Sequence, residues 1–286
     1  MEQDNQYERG WVNLEGEVWF VYRSNHAPYS VENVLIVNTV TAIRYGAFAS
    51  CYRLRFVEVP NSVRKISHHA FYNCNLLRTV HLPNSVITME KGVFAACPSL
   101  KNIMIPNRLG RIPELAFAGC RNLTRLTIPL SVKEIGPEAF NGCSSMTSVN
   151  IPKSVSLIGY KAFYNCKALE AVELPICIPL IGNRIFTGCG SLKIITLLEC
   201  DAIIDNSNDN MHIVLVTTLL SSQGLKTLRL PNISKAPMWP HLLRQLDKNS
   251  FISRIGVSNV GRKTAIFSFL QQNMHRILEV THINTS

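Results

Sequence analysis

The strongest constraint on the fold is a repeat of 23 residues that runs through most of the chain without an insertion. Phe and Cys recur three residues apart in fixed register, and a Pro recurs on the same step. The seven Phe-x-x-Cys pairs begin at Phe48, Phe71, Phe94, Phe117, Phe140, Phe163 and Phe186. A regular repeat of this length indicates one small structural unit that is stacked many times.

Each copy of the repeat predicts a short strand followed by a turn. Around Val149, apolar and polar residues alternate up to Pro152, which favours a strand that ends there. The segment Lys161-Ala162-Phe163 is too short for a full helix, so it predicts one helical or 3₁₀ turn. The residue before the Cys is Gly or Asn in five of seven copies, which favours a left-handed end to that turn.

A single copy cannot bury its own apolar face, whereas stacked copies share one core and pair their strands in parallel. The motif resembles the BspA-like leucine-rich repeat of bacterial surface proteins and many unicellular eukaryotes, and it is clearest in Ile135-Gly136-Pro137-Glu138-Ala139-Phe140-Asn141-Gly142-Cys143. The resemblance implies an α/β repeat fold. This fold is a curved leucine-rich-repeat solenoid with a parallel β-sheet on the concave side and short helical turns on the convex side.

The chain divides into four expected segments, which are a capping β-hairpin (1–30), the repeats (31–204), an irregular last repeat with an insertion (205–231) and a helical C-terminal cap (232–286). The hairpin is predicted from two short apolar stretches around a Glu-Gly turn between Trp11 and Tyr22. The C-terminal cap is predicted from helical patterns at 239–246 and 264–278. Both caps would cover open ends of the stack.

The residues at one position of the repeat in successive copies form a column. In two columns of the predicted strands the side chains point away from the core, and their residue types vary from copy to copy, whereas those of the core columns do not. They contain Phe56, Glu58, Thr79, His81, Asn102, Met104, Arg125, Thr127, Ser148, Asn150, Glu173 and Thr196. Packing does not dictate these side chains, so they form either a solvated sheet face or a binding surface. A neighbouring basic column, with Arg55, Arg78, Lys101 and Lys193, could attract an acidic partner or could simply be solvated.

The chain shows no recognisable motif for catalysis, for a metal or for a cofactor, so we expect a non-enzyme that carries none of them. One Cys per copy does not match the spacing of zinc ligands, and a column of seven cannot pair completely as disulfides. The Cys column is therefore interpreted as buried packing. His68 and His69 are adjacent without a third ligand nearby, and we interpret them as solvent-facing.

The N-terminus and the lack of a long apolar stretch favour a cytoplasmic protein. The first ten residues are polar and acidic, and no apolar stretch is long enough to span a membrane. The net charge of +10 includes no dense cluster of Lys and Arg, so we do not expect a nucleic-acid or membrane partner. The leading hypothesis is a monomeric, non-enzymatic scaffold that binds a protein or peptide on its concave face. The alternative, implied by the bacterial relatives, is a cell-surface adhesion or recognition protein.

Overall fold

The computed structural model describes residues 11–14, 17–23, 26–175, 178–198, 227–230, 254–258 and 279–283. These residues contain 19 strands and no helix. Accordingly, no helix in this part of the chain is long and apolar enough to cross a membrane. The predicted helices at 239–246 and 264–278, and the insertion within 205–226, lie outside the described residues.

Most strands are short, and many contain only two or three residues. In chain order they are β1 (Trp11–Leu14), β2 (Glu17–Tyr22), β3 (Val34–Ile36), β4 (Ala42–Ile43), β5 (Phe56–Glu58), β6 (Lys65–Ile66), β7 (Thr79–His81), β8 (Thr88–Met89), β9 (Asn102–Ile103), β10 (Arg111–Ile112), β11 (Glu134–Ile135), β12 (Ser148–Asn150), β13 (Leu157–Ile158), β14 (Ala171–Pro175), β15 (Leu180–Ile181), β16 (Ile194–Leu198), β17 (Thr227–Leu230), β18 (Arg254–Ser258) and β19 (Glu279–Ile283). They stack as a parallel β-solenoid in which each copy of the repeat is one coil.

The main ladder of the solenoid takes one strand from most coils. It consists of β3, of β5-β7-β9 and of β12-β14-β16-β17-β18-β19, and every pair in the last two groups is parallel. Neighbours pair in the register of the repeat, so that Phe56 lies opposite Thr79 and Val149 opposite Val172. The tail predicted as a helical cap contributes β18 and β19 to this ladder, which the sequence pattern did not indicate.

The predicted N-terminal hairpin is present. Strands β1 and β2 are antiparallel, with Leu14 opposite Glu17, and β2 then pairs in parallel with β3. Tyr22 at the end of β2 is fully buried, and its ring centroid lies 4.7 Å from that of Phe48. Its hydroxyl accepts a hydrogen bond from the backbone N–H of Arg44 at 3.1 Å. The hairpin is thereby joined to the first coil through both its backbone and its core.

A second, narrower ladder follows the Ile column of the repeat. It consists of β4-β6-β8 and β10-β11-β13-β15, all parallel and all of two residues. Ile135 lies opposite Ile158, and Ile66 opposite Met89, so every strand except β15 keeps one buried residue in the shared core. In β15, Ile181 is half-buried against that core. Most coils therefore have two strand segments where the sequence predicted one.

The segment predicted as a helical turn is instead a chain of tight turns shared between coils. Glu138, Phe140 and Gly142 each donate a backbone hydrogen bond of 2.8 Å to the next coil. The residues between them donate within the coil, as Asn141 does to Glu138 at 3.1 Å. In a helix, these N–H groups would all donate to carbonyl oxygens of the same segment, whereas here every second N–H donates to a carbonyl oxygen of the next coil. The predicted helical turns are therefore not found in the described residues.

Two residues in each of these turn segments have left-handed backbone conformations, four positions apart. The second residue of each pair directly precedes the Cys, as predicted. In five coils it is Gly or Asn, and in the other two it is Ser50 and Ala96. The first was not predicted and is Gly46, His69, Gly92, Leu115, Glu138, Lys161 and Arg184 in successive coils. Five of these seven residues are not Gly, although a left-handed backbone is costly for a residue with a Cβ. The hydrogen bonds between coils hold them in place.

The core is a set of continuous columns rather than a cluster of local contacts. The seven repeat Phe side chains are almost fully buried. Their rings stack from coil to coil, with centroid distances of 5.0 Å for Phe48 and Phe71 and 5.8 Å for Phe163 and Phe186. The interplanar angle is 12° or less for the first five pairs. Each coil of the repeat thus supplies one ring to a shared interior.

Three glycines of one column mark where backbones of successive coils approach most closely. They are Gly136, Gly159 and Gly182. A Cβ on Gly136 would lie 2.5 Å from the amide nitrogen of Glu114. A Cβ on Gly159 would lie 2.6 Å from the carbonyl carbon of Gly136 and would also meet the nitrogen of Pro137. The contacting atoms are backbone, which cannot move aside without separating the coils.

We expect Gly159→Ala to lower the free energy of unfolding by about 1–3 kcal/mol, because overpacking against backbone forces adjacent coils apart. Gly110→Ala is the matched control, since a Cβ there has nothing within 4 Å. The control should be neutral or slightly stabilising, through reduced entropy of the unfolded chain. Equilibrium unfolding in guanidinium chloride compares the two. Equal effects of both substitutions would contradict the close approach at Gly159.

Candidate functional site

The twelve outward residues predicted from the sequence lie on one side of the main ladder, and we call them the sheet face. The strand burial alternates exposed, buried, exposed in β5 and in β12. Ten of the twelve are exposed, and Thr79 and Thr196 are half-buried. Asn150, Glu173 and Thr196 lie in register across three strands, as do Phe56, Thr79 and Asn102. The structure thus brings these residues together, and whether they bind a partner stays a prediction.

The sheet face is interrupted in one coil. Arg125 and Thr127 are exposed as expected, but residues 124–128 form no strand between β9 and β12. In the equivalent position of other coils, the N–H of Arg78 donates to Arg55 at 2.9 Å and that of Lys101 donates to Arg78 at 3.1 Å. Within the described residues, no such hydrogen bond joins Thr124 to Lys101. The turn ladder on the other side of the coil continues through this point.

A depression of about 680 Å³ lies at the N-terminal end of the sheet face. It is lined by Trp19, Leu35, Phe56 and His81 among others, and we call it the N-terminal depression. The Phe56 and His81 rings meet edge to face, with centroids 5.0 Å apart and an interplanar angle of 87°. Leu35 and Phe56 remain 41% and 38% exposed, although both are apolar. An aromatic and aliphatic surface of this kind is suited to an apolar side chain from a partner.

Sequence reasoning missed two residues of this depression. Trp19 lies within the predicted hairpin, and the structure shows that it is half-buried and lines the depression. Leu35 continues the column of Glu58 one repeat earlier, so extending the outward columns into β3 would have found it.

A second recess of about 580 Å³ lies where the main ladder is interrupted, and we call it the polar recess. Its lining includes Arg78, Lys101, Asn102, Asn122, Thr124 and Ser145. The hydroxyls of Thr79 and Ser99 complete it. Every lining side chain can donate a hydrogen bond, two are cationic, and none is a carboxylate. The recess is therefore electropositive and complementary to oxygen anions.

The basic side chains of the recess differ from several others in having no acidic partner. Elsewhere, Lys65 pairs with Glu90 at 2.7 Å, and inter-coil pairs join Lys91 to Glu114 at 2.7 Å and Arg111 to Glu134 at 3.3 Å. Arg55, Arg78, Lys101 and Arg125 form no ion pair with any residue that the structure describes. In the first three coils of the predicted basic column, the cationic side chains are therefore exposed to solvent and are not neutralised by a described acidic residue.

The Cys column is structural in its contacts. All seven cysteines in the described ranges are free and buried. Each of six thiols donates to the carbonyl oxygen of the Phe in the preceding coil, at 2.9 Å for Cys97 and 3.2 Å for Cys143. Burial raises the pKa of the Cys120 and Cys143 thiols well above the ordinary value of 9.0. These thiols act as buried hydrogen-bond donors between coils. Cys177 and Cys200 lie outside the described residues.

The adjacent histidines occupy different environments, which corrects their common interpretation as solvent-facing. His68 is exposed, and its Nδ1 lies 2.8 Å from a carboxylate oxygen of Glu90. His69 is half-buried, with its ring against Tyr72 at a centroid distance of 5.4 Å. Its Nδ1 is buried without a hydrogen-bond partner. The described part of the chain holds no group of three or more His, Cys, Asp or Glu side chains that could bind a metal ion.

One solved structure with a TM-score above 0.5 supports the solenoid fold, and two further solved structures are similar to the chain. A leucine-rich repeat protein from Bacteroides ovatus matches with a TM-score of 0.52 and 16% identity, over 96% of this chain and 90% of that chain. One from T. pallidum matches with a TM-score of 0.46 and 22% identity, over 73% and 92%. A leucine rich cell surface protein from Faecalibacterium prausnitzii matches with a TM-score of 0.41 and 17% identity, over 96% and 93%. These three are bacterial, and the expected likeness to proteins of unicellular eukaryotes stays a prediction.

Comparison with curated proteins finds no match. The family model described as the BspA type leucine rich repeat region matches six copies, over residues 24–146 and 110–217. The two matched ranges together span most of the chain and contain every Phe-x-x-Cys pair of the repeat. The stacked Phe rings, the thiol column and the parallel ladders are the structural form of that repeat, and the chain belongs to the BspA-type leucine-rich repeat family.

Proposed function

We propose that the protein is a non-enzymatic scaffold that binds a segment of a protein partner along the sheet face. The observation that supports this proposal most directly is the exposure of apolar side chains on the ladder. Met104 is 81% exposed, and Leu35 and Phe56 are each about two-fifths exposed on the same face. Scattered apolar residues are normal on a surface, but Leu35 and Phe56 lie in neighbouring coils and both border the N-terminal depression, and Met104 lies two coils beyond Phe56 on the same face.

The solenoid supplies a rigid platform for such binding. Turn hydrogen bonds join successive coils throughout the repeats, and the two ladders join most of them, with breaks between β9 and β12 in the main ladder and between β8 and β10 in the narrower one. The exposed side chains therefore keep fixed spacings, and a bound segment need not order the scaffold as it binds. Affinity would come from a few buried aromatic and aliphatic contacts with weaker polar contacts around them. The protein would act as a monomer, since one copy offers the complete face.

The test is proximity labelling in the native cell, followed by co-purification of the labelled partners. We expect the triple variant Phe56→Asp, Met104→Asp, Asn150→Asp to lose partners by about ten-fold or more, because hot-spot contacts dominate binding. The matched control is Tyr45→Asp, Leu130→Asp, Tyr160→Asp, which changes exposed apolar residues outside the sheet face by the same charge. Recovery of the same partners by both triple variants would remove the proposal.

The same labelling reports the compartment, and we propose that this is the cytoplasm. All seven described thiols are free, which suits a reducing compartment. Labelled neighbours at the cell surface would favour the alternative of an adhesion or recognition protein.

A further inference from the structure

We infer that the polar recess binds carboxylate groups of an acidic segment in the protein partner. This inference rests on the proposed function, since it assigns a second contact of the same bound segment. The recess and the N-terminal depression meet at strand β7, where Thr79 lines the recess and His81 lines the depression. One extended segment along the solenoid can therefore place apolar side chains in the depression and acidic ones in the recess.

The first argument is the chemistry of the lining. Arg78 and Lys101 supply cationic donors, and the amides of Asn102 and Asn122 add neutral donors. No carboxylate lines the recess to compete for these donors. An Arg side chain can hold a carboxylate with two parallel hydrogen bonds, which gives such a site selectivity as well as attraction.

The second argument is that the charge of the column is uncompensated. Arg55, Arg78 and Lys101 occupy the same position in three successive coils, whose backbones are joined by direct hydrogen bonds. Adjacent strands lie about 4.8 Å apart, so these like charges begin close together and repel. The cations of Lys91 and Arg111, by contrast, are each paired with a Glu in the next coil. An acidic ligand would supply the counter-charge that the chain supplies elsewhere.

The third argument is size. The recess has a volume of about 580 Å³ and includes residues from Arg78 to Ser145, which span several coils. This volume is within the range of sites that hold whole ligands, about 300–1,000 Å³. It is far larger than one phosphate or one carboxylate needs, so several consecutive groups of a chain fit it better than a single small anion.

The experiment measures fluorescence anisotropy of labelled hexaglutamate, with hexaglutamine as the neutral probe, at about 50 mM and 200 mM NaCl. We expect hexaglutamate to bind at least ten-fold more tightly than hexaglutamine at the lower salt, and to weaken at the higher salt because surface charges are screened. The double variant Arg78→Gln, Lys101→Gln should weaken hexaglutamate binding by ten-fold or more. Both residues are exposed, so these variants should fold, which circular dichroism checks.

The matched control is the double variant Lys133→Gln, Lys167→Gln. It removes the same charge from exposed positions outside the recess, and should change binding by less than two-fold. Equal losses in both double variants would show attraction to the overall positive charge and would overturn the inference. So would binding of inorganic phosphate or hexaphosphoserine with no binding of hexaglutamate, which would make this a phosphoryl site. If the Phe56 triple variant loses partners and the Arg78 pair does not, the proposed function stands and this inference fails.

Discussion

Phe117→Ala is expected to lower the free energy of unfolding by about 3–5 kcal/mol, the usual cost of truncating a buried Phe. The Phe117 ring is fully buried between Phe94 and Phe140, at centroid distances of 5.7 and 5.5 Å. Its loss leaves a cavity that two neighbouring coils line, and neither can close it without breaking the ladders that fix their separation. Denaturant unfolding, followed by circular dichroism, measures the change.

Two comparisons isolate the stacked column as the cause. Phe117→Leu keeps most of the volume and should cost less than the alanine variant, because volume-conserving changes are tolerated best. Met104→Ala truncates an apolar side chain that is 81% exposed, and should change stability by no more than about 0.5 kcal/mol. A Phe117→Ala variant no less stable than Met104→Ala would contradict a continuous aromatic core.

Stability is also expected to fall steeply above about pH 9, because the folded protein keeps protons on its buried thiols. Burial raises the pKa of Cys51, Cys120 and Cys143 above the ordinary value of 9.0. In the unfolded chain these thiols ionise near pH 9, so above that pH the unfolded state binds fewer protons than the folded state. Each such thiol then lowers the free energy of unfolding by about 1.4 kcal/mol per pH unit, and below pH 9 it has no pH-dependent effect.

The measurement is the free energy of unfolding under reducing conditions between about pH 7 and pH 11. Above pH 9, Cys143→Ala should make the fall in the free energy of unfolding less steep by about 1.4 kcal/mol per pH unit, which is the contribution of one thiol. Val149→Ala is the control, since Val149 is also buried but cannot ionise, so it should destabilise the protein without changing the slope. An unchanged slope in Cys143→Ala would show that this thiol ionises as readily in the folded state as in the unfolded one.

The sequence predicts the parts of this fold that repetition enforces. Core columns such as Phe117 and Val149 recur because a one-residue slip would expose every buried side chain of the coil. The same alternation identifies the outward residues, so the sheet face was predictable residue by residue. The period of two in a strand is a local property, and a single sequence is enough to read it.

The features that were missed depend on neighbouring coils. The two-residue strands of the Ile column are too short for any periodicity, and their pairing becomes visible only in the stack. The left-handed column that contains Leu115 and Lys161 has no characteristic residue type, because inter-coil hydrogen bonds impose its conformation. The polar recess lies where the ladder is interrupted beside Thr124, and no residue type there predicts a missing hydrogen bond.

The alternation of hydrogen bonds in the turn segments also bears on how such a protein can change in length. In these segments, alternate N–H groups donate to the following coil and the remaining ones donate within their own coil. Inserting one residue would exchange these two sets of donors and would shift the left-handed conformations to neighbouring residues. Duplicating or deleting a whole 23-residue unit leaves each remaining coil with the same neighbours and the same donors. Evolution can therefore extend or shorten the array by unequal recombination between units, while small insertions are confined to positions where the pattern has already ended.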